Sequence, residues 1–158
     1  MHKLYNYAPK EVDVLTSGLW APVMASRESL AHYFGRAKSK TKKGVLAYLE
    51  GIFPGRSRAI SFLTSPMTKE CCFYDEFKKN MCLYSVNFDA LQKAGLVEAI
   101  YRCAGRKKLE KITTEQILWS ERLPWEKAGS GFFFTKIPHY MVVIKDGIVP
   151  PEFISKQN

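Results

Sequence analysis

The segment FFFTKIPHYMVVIKDGIVPPEFI, residues 132–154, is the densest run of strand-forming residues in the chain. Residues 132–134 and 140–144 are aromatic or mostly β-branched, which suits a pleated and buried surface. Asp146-Gly147 tolerates the positive φ of a tight reversal, whereas Pro150 and Pro151 cannot donate ladder hydrogen bonds. We therefore expect an inner strand over 132–144, a turn after it, and the end of the sheet at the two prolines.

The bulk composition predicts one folded domain over residues 1–158. The chain has 158 residues, of which 46% are hydrophobic and 13% aromatic, so it can bury a real core. Its first residues lack the apolar segment of a signal peptide, and no apolar run is long enough for a membrane span. On these grounds we expect a cytoplasmic protein that does not insert into a membrane.

Alternating and helical apolar patterns predict an α+β fold with a mixed or mostly antiparallel sheet. Further strands are expected near 3–7, 59–63, 81–86 and 96–101, with helices near 26–35 and 44–53 packed on them. Short turns join neighbouring strands as often as helices do, which favours this class over a parallel doubly wound sheet. Most of the helix signal lies in the N-terminal half.

The formal net charge of +9 is concentrated in residues 27–58 and residues 102–111. Residues 36–43 are expected to be an exposed linker, and residues 102–111 a basic turn. Such patches attract nucleic acid, an acidic protein or a phosphate-bearing cofactor, although a solvated basic face is an equally good explanation. The candidate polyanion-binding residues are Arg36, Lys38, Lys40, Lys42, Lys43, Arg56, Arg58, Arg106, Lys107 and Lys108.

Common catalytic and metal motifs are absent from the sequence. It contains no G-x-G-x-x-G or Walker-type phosphate loop, no G-x-S-x-G and no H-E-x-x-H. The cysteines, at 71, 72, 82 and 103, form no C-x-x-C, and the three histidines are not at ligand spacing to them. We expect buried free thiols and no metal site.

Polar residues lie at or near the ends of three predicted strands. They are Tyr5, Asn6 and Tyr7 on the first, Ser61, Thr64 and Ser65 on the second, and His139 and Tyr140 on the last. Such groups can hydrogen-bond or stack on a ligand, and we expect them to line one cleft. The alternative is structural: tyrosines in the core, hydroxyls bonded to loop backbone, and a histidine that only donates a hydrogen bond.

Three stretches of the chain resemble the ADP-ribosyltransferase superfamily. LYNY at 4–7 followed by VLTSGL at 14–19 is similar to its opening strand and helix. ISFLTS at 60–65 resembles its second strand, which carries Ser or Tyr near the nicotinamide. YMVV at 140–143 and GIVPPEFI at 147–154 are similar to its closing strand and tail.

The resemblance implies a protein that binds NAD⁺ and modifies a macromolecular target, as a toxin, effector or phage-type modifier does. It implies that residues 5–7 and 61–65, with Tyr140, hold the nicotinamide end. Many members place His or Arg where this chain has Asn6, and the catalytic Glu where it has His139. His139 is then the candidate acid–base group, and Glu121 or Glu126 the candidate carboxylate.

A protein that binds without transferring ADP-ribose fits the same residues. A non-enzymatic basic module, which binds nucleic acid or an acidic protein through the two basic segments, is the competing hypothesis.

Overall fold

The computed structural model describes residues 1–104, 108–119 and 137–158. The described strands are β1 (Lys3–Pro9), β2 (Leu19–Trp20), β3 (Ala59–Leu63), β4 (Met81–Asn87), β5 (Val97–Ala104), β6 (Lys108–Ile112), β7 (His139–Ile144), β8 (Ile148–Val149) and β9 (Ile154–Lys156). The described α-helices are α1 (Val14–Ser17), α2 (Phe34–Ala37), α3 (Lys42–Ile52), α4 (Tyr74–Asn80) and α5 (Phe88–Lys93). Turns of 3₁₀-helix include Glu28–Tyr33, Arg56–Arg58 and Pro151–Phe153.

Seven strands form one sheet in the order β6-β5-β7-β3-β1-β4-β9, and all of their described pairings are antiparallel. Strands β2 and β8 form a separate antiparallel pair. The predicted α+β class with a mostly antiparallel sheet is confirmed. Because strands from the first, middle and last thirds of the chain belong to this one sheet, they fold as one domain.

Strand β7 lies inside the sheet, as predicted from its apolar sequence, and all six of its residues are buried. Its alternate side chains face opposite layers because successive residues of a strand point to opposite faces. Val142 and Ile144 join the larger core with Leu4 and Phe62. Met141 and Val143 join a second cluster that is closed by Phe53, whose ring stacks on Tyr101 at 4.0 Å.

The helical layer is organised around α3 and the turn Glu28–Tyr33. Leu30, Val45 and Leu49 form their small common core. Thr41 begins α3 as its N-cap, because its Oγ1 accepts a hydrogen bond from the Gly44 N–H at 3.0 Å. The predicted helix near 26–35 is instead a 3₁₀ turn followed by α2, and the predicted linker 36–43 includes the end of α2 and the start of α3.

Two expectations about the sheet were wrong. Of the basic turn expected at 102–111, residues 102–104 belong instead to β5 and 108–111 to β6, and 105–107 lie outside the described residues; the two strands pair antiparallel, with an ion pair between Arg102 and Glu110 at 2.8 Å. The sheet also does not end at the prolines. Pro151 begins a 3₁₀ turn, after which β9 returns to pair with β4. Of the strand expected over 132–144, residues 132–136 lie outside the described part of the chain.

Gly18 is the tightest backbone position in the connection between α1 and β2. Its φ is +84°, and a Cβ there would lie 2.4 Å from the Val149 carbonyl oxygen, which is backbone and cannot move aside cheaply. We predict that Gly18→Ala lowers the free energy of unfolding by about 2–4 kcal/mol, through left-handed strain and overpacking together.

Gly95→Ala is the matched control, since Gly95 has a φ of +75° but no atom within 4 Å of the added methyl. It should cost only the backbone strain, about 1 kcal/mol. Urea denaturation of both variants and the wild type measures this difference. Equal losses in the two variants would contradict the contact with Val149.

Candidate ligand-binding cleft

Strands β1 and β3 pair at a single position, Tyr5 opposite Leu63. On its other side β1 pairs with β4 along all seven residues, from Lys3 to Pro9. The second half of β1 therefore follows β4 and separates from β3. At the separation, the Asn6 side chain donates a hydrogen bond from Nδ2 to the Ser61 carbonyl oxygen at 2.8 Å, so a side chain replaces a ladder contact.

A cavity of about 350 Å³ occupies this separation. Its walls come from β1, β3, the chain around β2 and the turn Glu28–Tyr33. Its polar or aromatic lining residues are Asn6, Tyr7, Trp20, Ser29, His32, Tyr33, Arg56 and Ser61; the remaining lining is largely aliphatic. A mostly apolar cavity with a few convergent polar groups, in the range of about 300–1,000 Å³, is typical of small-molecule sites.

Three of the sequence-predicted site residues line this cavity together: Asn6, Tyr7 and Ser61. The Tyr7 hydroxyl accepts a hydrogen bond from the Met67 N–H at 2.9 Å, and burial raises the pKa of that hydroxyl. The Ser61 hydroxyl donates to the Met141 sulfur at 2.8 Å. These contacts hold both side chains at the edge of the opening between the two strands.

Four other predicted residues do not line the cavity: Tyr5, Thr64, Ser65 and Tyr140. Tyr140 packs with Phe62 in the larger core, and its hydroxyl accepts a hydrogen bond from the Leu118 N–H at 2.9 Å. Thr64 is buried, and its own N–H donates to the Pro138 carbonyl. Thr64 and Ser65 follow the end of β3 and Tyr140 is near the start of β7, as expected, but Tyr5 lies inside β1. Strand alternation turns Tyr140 to the face opposite His139.

His139 is buried beside Leu63 and does not line the cavity either. Burial, and secondarily the positive charge of Arg56, lowers the pKa of His139 to about 4. Its imidazole is therefore neutral at pH 7. No carboxylate among the described residues lines the cavity. Glu121 and Glu126, the other candidate catalytic groups, lie outside the described residues.

The predicted polyanion-binding residues separate into distinct environments. Arg36, Lys38, Lys40 and Lys43 are exposed and Lys42 is half-buried around the turn between α2 and α3. Arg58 forms an ion pair with Glu98 at 2.8 Å, and Arg56 lines the cavity. Lys108 begins β6, whereas Arg106 and Lys107 lie outside the described residues.

Sequence reasoning missed the contribution of Arg56, Tyr33 and Trp20 to the cleft. Tyr33 is the last residue of the turn Glu28–Tyr33, and Trp20, in β2, is half-exposed. No local pattern identifies these residues, because they come from three separate segments that only the folded chain brings together.

No cysteine of the described part of the chain lines the cavity. Within residues 1–104, 108–119 and 137–158, no group of three His, Cys, Asp or Glu side chains could hold a metal ion. The four cysteines are free thiols, of which Cys71 is buried but Cys72 is exposed, contrary to expectation. Burial raises the pKa of Cys103 to about 12, against the opposing effect of Arg56. No helix in the described segments has the length and apolarity to cross a bilayer.

The lowered pKa of His139 predicts that the free energy of unfolding falls as the pH decreases below neutrality. Its pKa falls from the ordinary 6.5 to about 4 on folding, so between these values the unfolded chain binds a proton that the folded chain does not. The contribution is fully present above pH 6.5 and is lost as the pH falls toward 4. Between pH 7 and pH 5 we expect a loss of about 2 kcal/mol from this group.

His139→Gln removes the titrating group and keeps a polar side chain. The free energy of unfolding of this variant should fall less between pH 7 and pH 5 than that of the wild type, by the same amount. Denaturant titrations at the two pH values test this expectation. Identical pH dependence in both proteins would show that His139 is not buried in its neutral form.

Comparison of the chain with protein families, with curated proteins and with solved structures found no match. The likeness to ADP-ribosyltransferases therefore rests on the short sequence stretches alone. The function has to be argued from the chemistry of the cleft and of the charged surface.

Proposed function

We propose that this chain is an ADP-ribosyltransferase-like protein that binds NAD⁺ or a related nucleotide in the cleft between β1 and β3. The observation that carries the proposal is the opening of the sheet at Asn6. An inner strand that separates from its neighbour costs ladder hydrogen bonds, and such a cost is typical of a site built for a ligand. The segments that resemble the superfamily, 4–7 and 60–65, are those that border this opening.

The lining suits a planar carboxamide-bearing ring. The Asn6 Nδ2 is engaged by the Ser61 carbonyl, which leaves the Asn6 side-chain oxygen available to accept from a nicotinamide N–H. Tyr7 and Trp20 offer aromatic surface on which a ring can stack, and both line the cavity. A cavity of about 350 Å³ accommodates the nicotinamide end and leaves the rest of a dinucleotide to extend from it.

Transfer of ADP-ribose requires a group that stabilises the positive charge developing on the ribose. A neutral His139 outside the cavity supplies no negative charge. We assign this role to a carboxylate from Glu121 or Glu126, so that binding rests on the cleft described above and transfer rests on residues 121–126. Modification of a macromolecular target is the reaction class this assignment predicts.

Asn6 provides the direct test of nucleotide binding. We expect NAD⁺ to bind the wild-type protein in calorimetric titration, and Asn6→Ala to bind about tenfold more weakly, because it loses one polar contact to the carboxamide and the bond that holds the opening. Tyr5→Phe is the control, since Tyr5 lies on the same strand without lining the cavity. Absence of NAD⁺ binding by the wild type, or equal affinity in Asn6→Ala, would count against the proposal.

A second candidate function, binding of a polyanion, is favoured by the charges around the turn between α2 and α3. Arg36, Lys38, Lys40, Lys42 and Lys43 form none of the ion pairs found among the described residues. The first turn of α3 contains no acidic residue, so the partial positive charge of the helix N-terminus adds to theirs. A concentrated, uncompensated positive surface attracts a nucleic acid backbone.

Charge reversal tests this surface. Replacing Lys38, Lys40, Lys42 and Lys43 by Glu should abolish salt-sensitive binding to a single-stranded oligonucleotide and leave the melting temperature nearly unchanged, because exposed charges contribute little to stability. Lys10, Lys69, Lys79 and Lys93 are exposed elsewhere, and reversing them makes the same change in net charge. If both variants lose binding equally, the attraction is to net charge and not to this surface.

A further inference from the structure

The turn that carries Arg56 is fixed beside the cleft by backbone hydrogen bonds to Glu50. Arg56 begins the turn Arg56–Arg58, directly before β3, and its side chain lines the cavity. The Glu50 carboxylate accepts hydrogen bonds from the N–H groups on both sides of it, Gly55 at 3.0 Å and Ser57 at 2.8 Å. The turn that carries Arg56 is thereby fixed to the end of α3, and the guanidinium has a defined position.

Of the two terminal nitrogens of the Arg56 guanidinium, only one makes a hydrogen bond within the described chain. Its Nη2 donates to the Tyr33 hydroxyl at 3.2 Å. Its Nη1 is buried and makes no hydrogen bond there. The remaining unsatisfied donor belongs to a charged group, for which loss of hydration is especially costly.

No counter-ion for Arg56 exists among the described residues. The four ion pairs they form do not include it, and neighbouring Arg58 is neutralised by Glu98. Glu50 is engaged by the two backbone N–H groups; although burial opposes this, these bonds and Arg58 lower the pKa of Glu50, which stays ionised. The cavity itself contains no described carboxylate.

The guanidinium of an arginine is always charged in a protein, so Arg56 keeps its positive charge in this position. Its charge reaches the surrounding groups, since it contributes to lowering the pKa of His139 and opposes the rise in that of Cys103. Arg56 lines the cavity, is partly buried and keeps one donor without a partner, so its guanidinium is complementary to an anionic oxygen.

We propose that Arg56 is the anion subsite of this cavity and that its guanidinium binds a phosphate oxygen of the ligand, with Tyr33 orienting the guanidinium. This inference rests on the proposed nucleotide-binding function and deepens it. It gives the ligand a direction: the carboxamide ring lies by Asn6 and Ser61, and the phosphates lie by Arg56.

The probes are pyrophosphate, NAD⁺ and nicotinamide, each titrated into the whole chain by calorimetry at low salt. Wild type should bind pyrophosphate and NAD⁺. Arg56→Gln should weaken both by about 30-fold or more, since a desolvated charge pair is lost, and should leave nicotinamide binding unchanged. Arg58→Gln is the control, because Arg58 is two residues away in the same turn and its guanidinium is already paired with Glu98.

Thermal unfolding without ligand accompanies these titrations. Arg56→Gln removes an uncompensated charge, so it should melt no lower than the wild type. If it does not fold, Arg56→Lys takes its place: it retains the charge without the planar donors and should still bind pyrophosphate more weakly than the wild type.

The outcomes separate the two proposals. Wild-type affinity for pyrophosphate in Arg56→Gln or in Arg56→Lys, or no binding of pyrophosphate and NAD⁺ by the wild type, overturns the anion subsite. If pyrophosphate binds through Arg56 but NAD⁺ does not bind, the subsite stands and the proposed nucleotide function fails. If NAD⁺ binds equally to the wild type and Arg56→Gln, the proposed function stands and the subsite fails.

Discussion

The hydrogen bond from the Asn6 side chain to the Ser61 carbonyl spans the gap between two inner strands of the sheet, β1 and β3. Strand β1 pairs fully with β4 but meets β3 at one position, and this difference opens the cleft. The opening is maintained from both sides: β3 is held by β7 along five residues, and β1 by β4 along seven. Because each strand is anchored on its far side, the gap persists without the sheet dividing.

The charge distribution of the cleft depends on which groups Glu50 and Glu98 bind. Glu50 binds backbone N–H groups around Arg56, and Glu98 binds Arg58. Arg58 is thus neutralised by an ion pair near the surface, whereas Arg56, two residues earlier, lines the cavity without a counter-ion among the described residues. The same arrangement explains the neutral state of His139, which is buried and feels the field of Arg56. Among the described residues, the cavity is therefore lined by a cation and by no carboxylate.

Predictability from sequence differed between elements. Strand β7 was correctly located because its β-branched and apolar residues specify a buried strand wherever it lies. The N-cap of α5 also depends only on nearby residues, since the Asn87 side chain accepts a hydrogen bond from the Ala90 N–H three residues later. The pairing of β5 with β6 was missed because its charged residues, among them the cross-strand partners Arg102 and Glu110, read in sequence as a basic turn. Strand β9 was missed because it is short and acquires its strand geometry from β4.

The sequence by itself determined the α+β class, the buried inner strand and the polar character of Asn6 and Ser61 beside the strands. These properties depend on periodicity and side-chain chemistry, which are local. Only the tertiary structure decided which polar residues meet. The separation of β1 from β3 brings Asn6, Ser61 and Arg56 around one cavity, whereas strand alternation sends Tyr140 into the opposite core. Register and strand order depend on pairing between segments that are distant in the sequence. No local pattern determines that β1 pairs along its whole length with β4 but at only one position with β3.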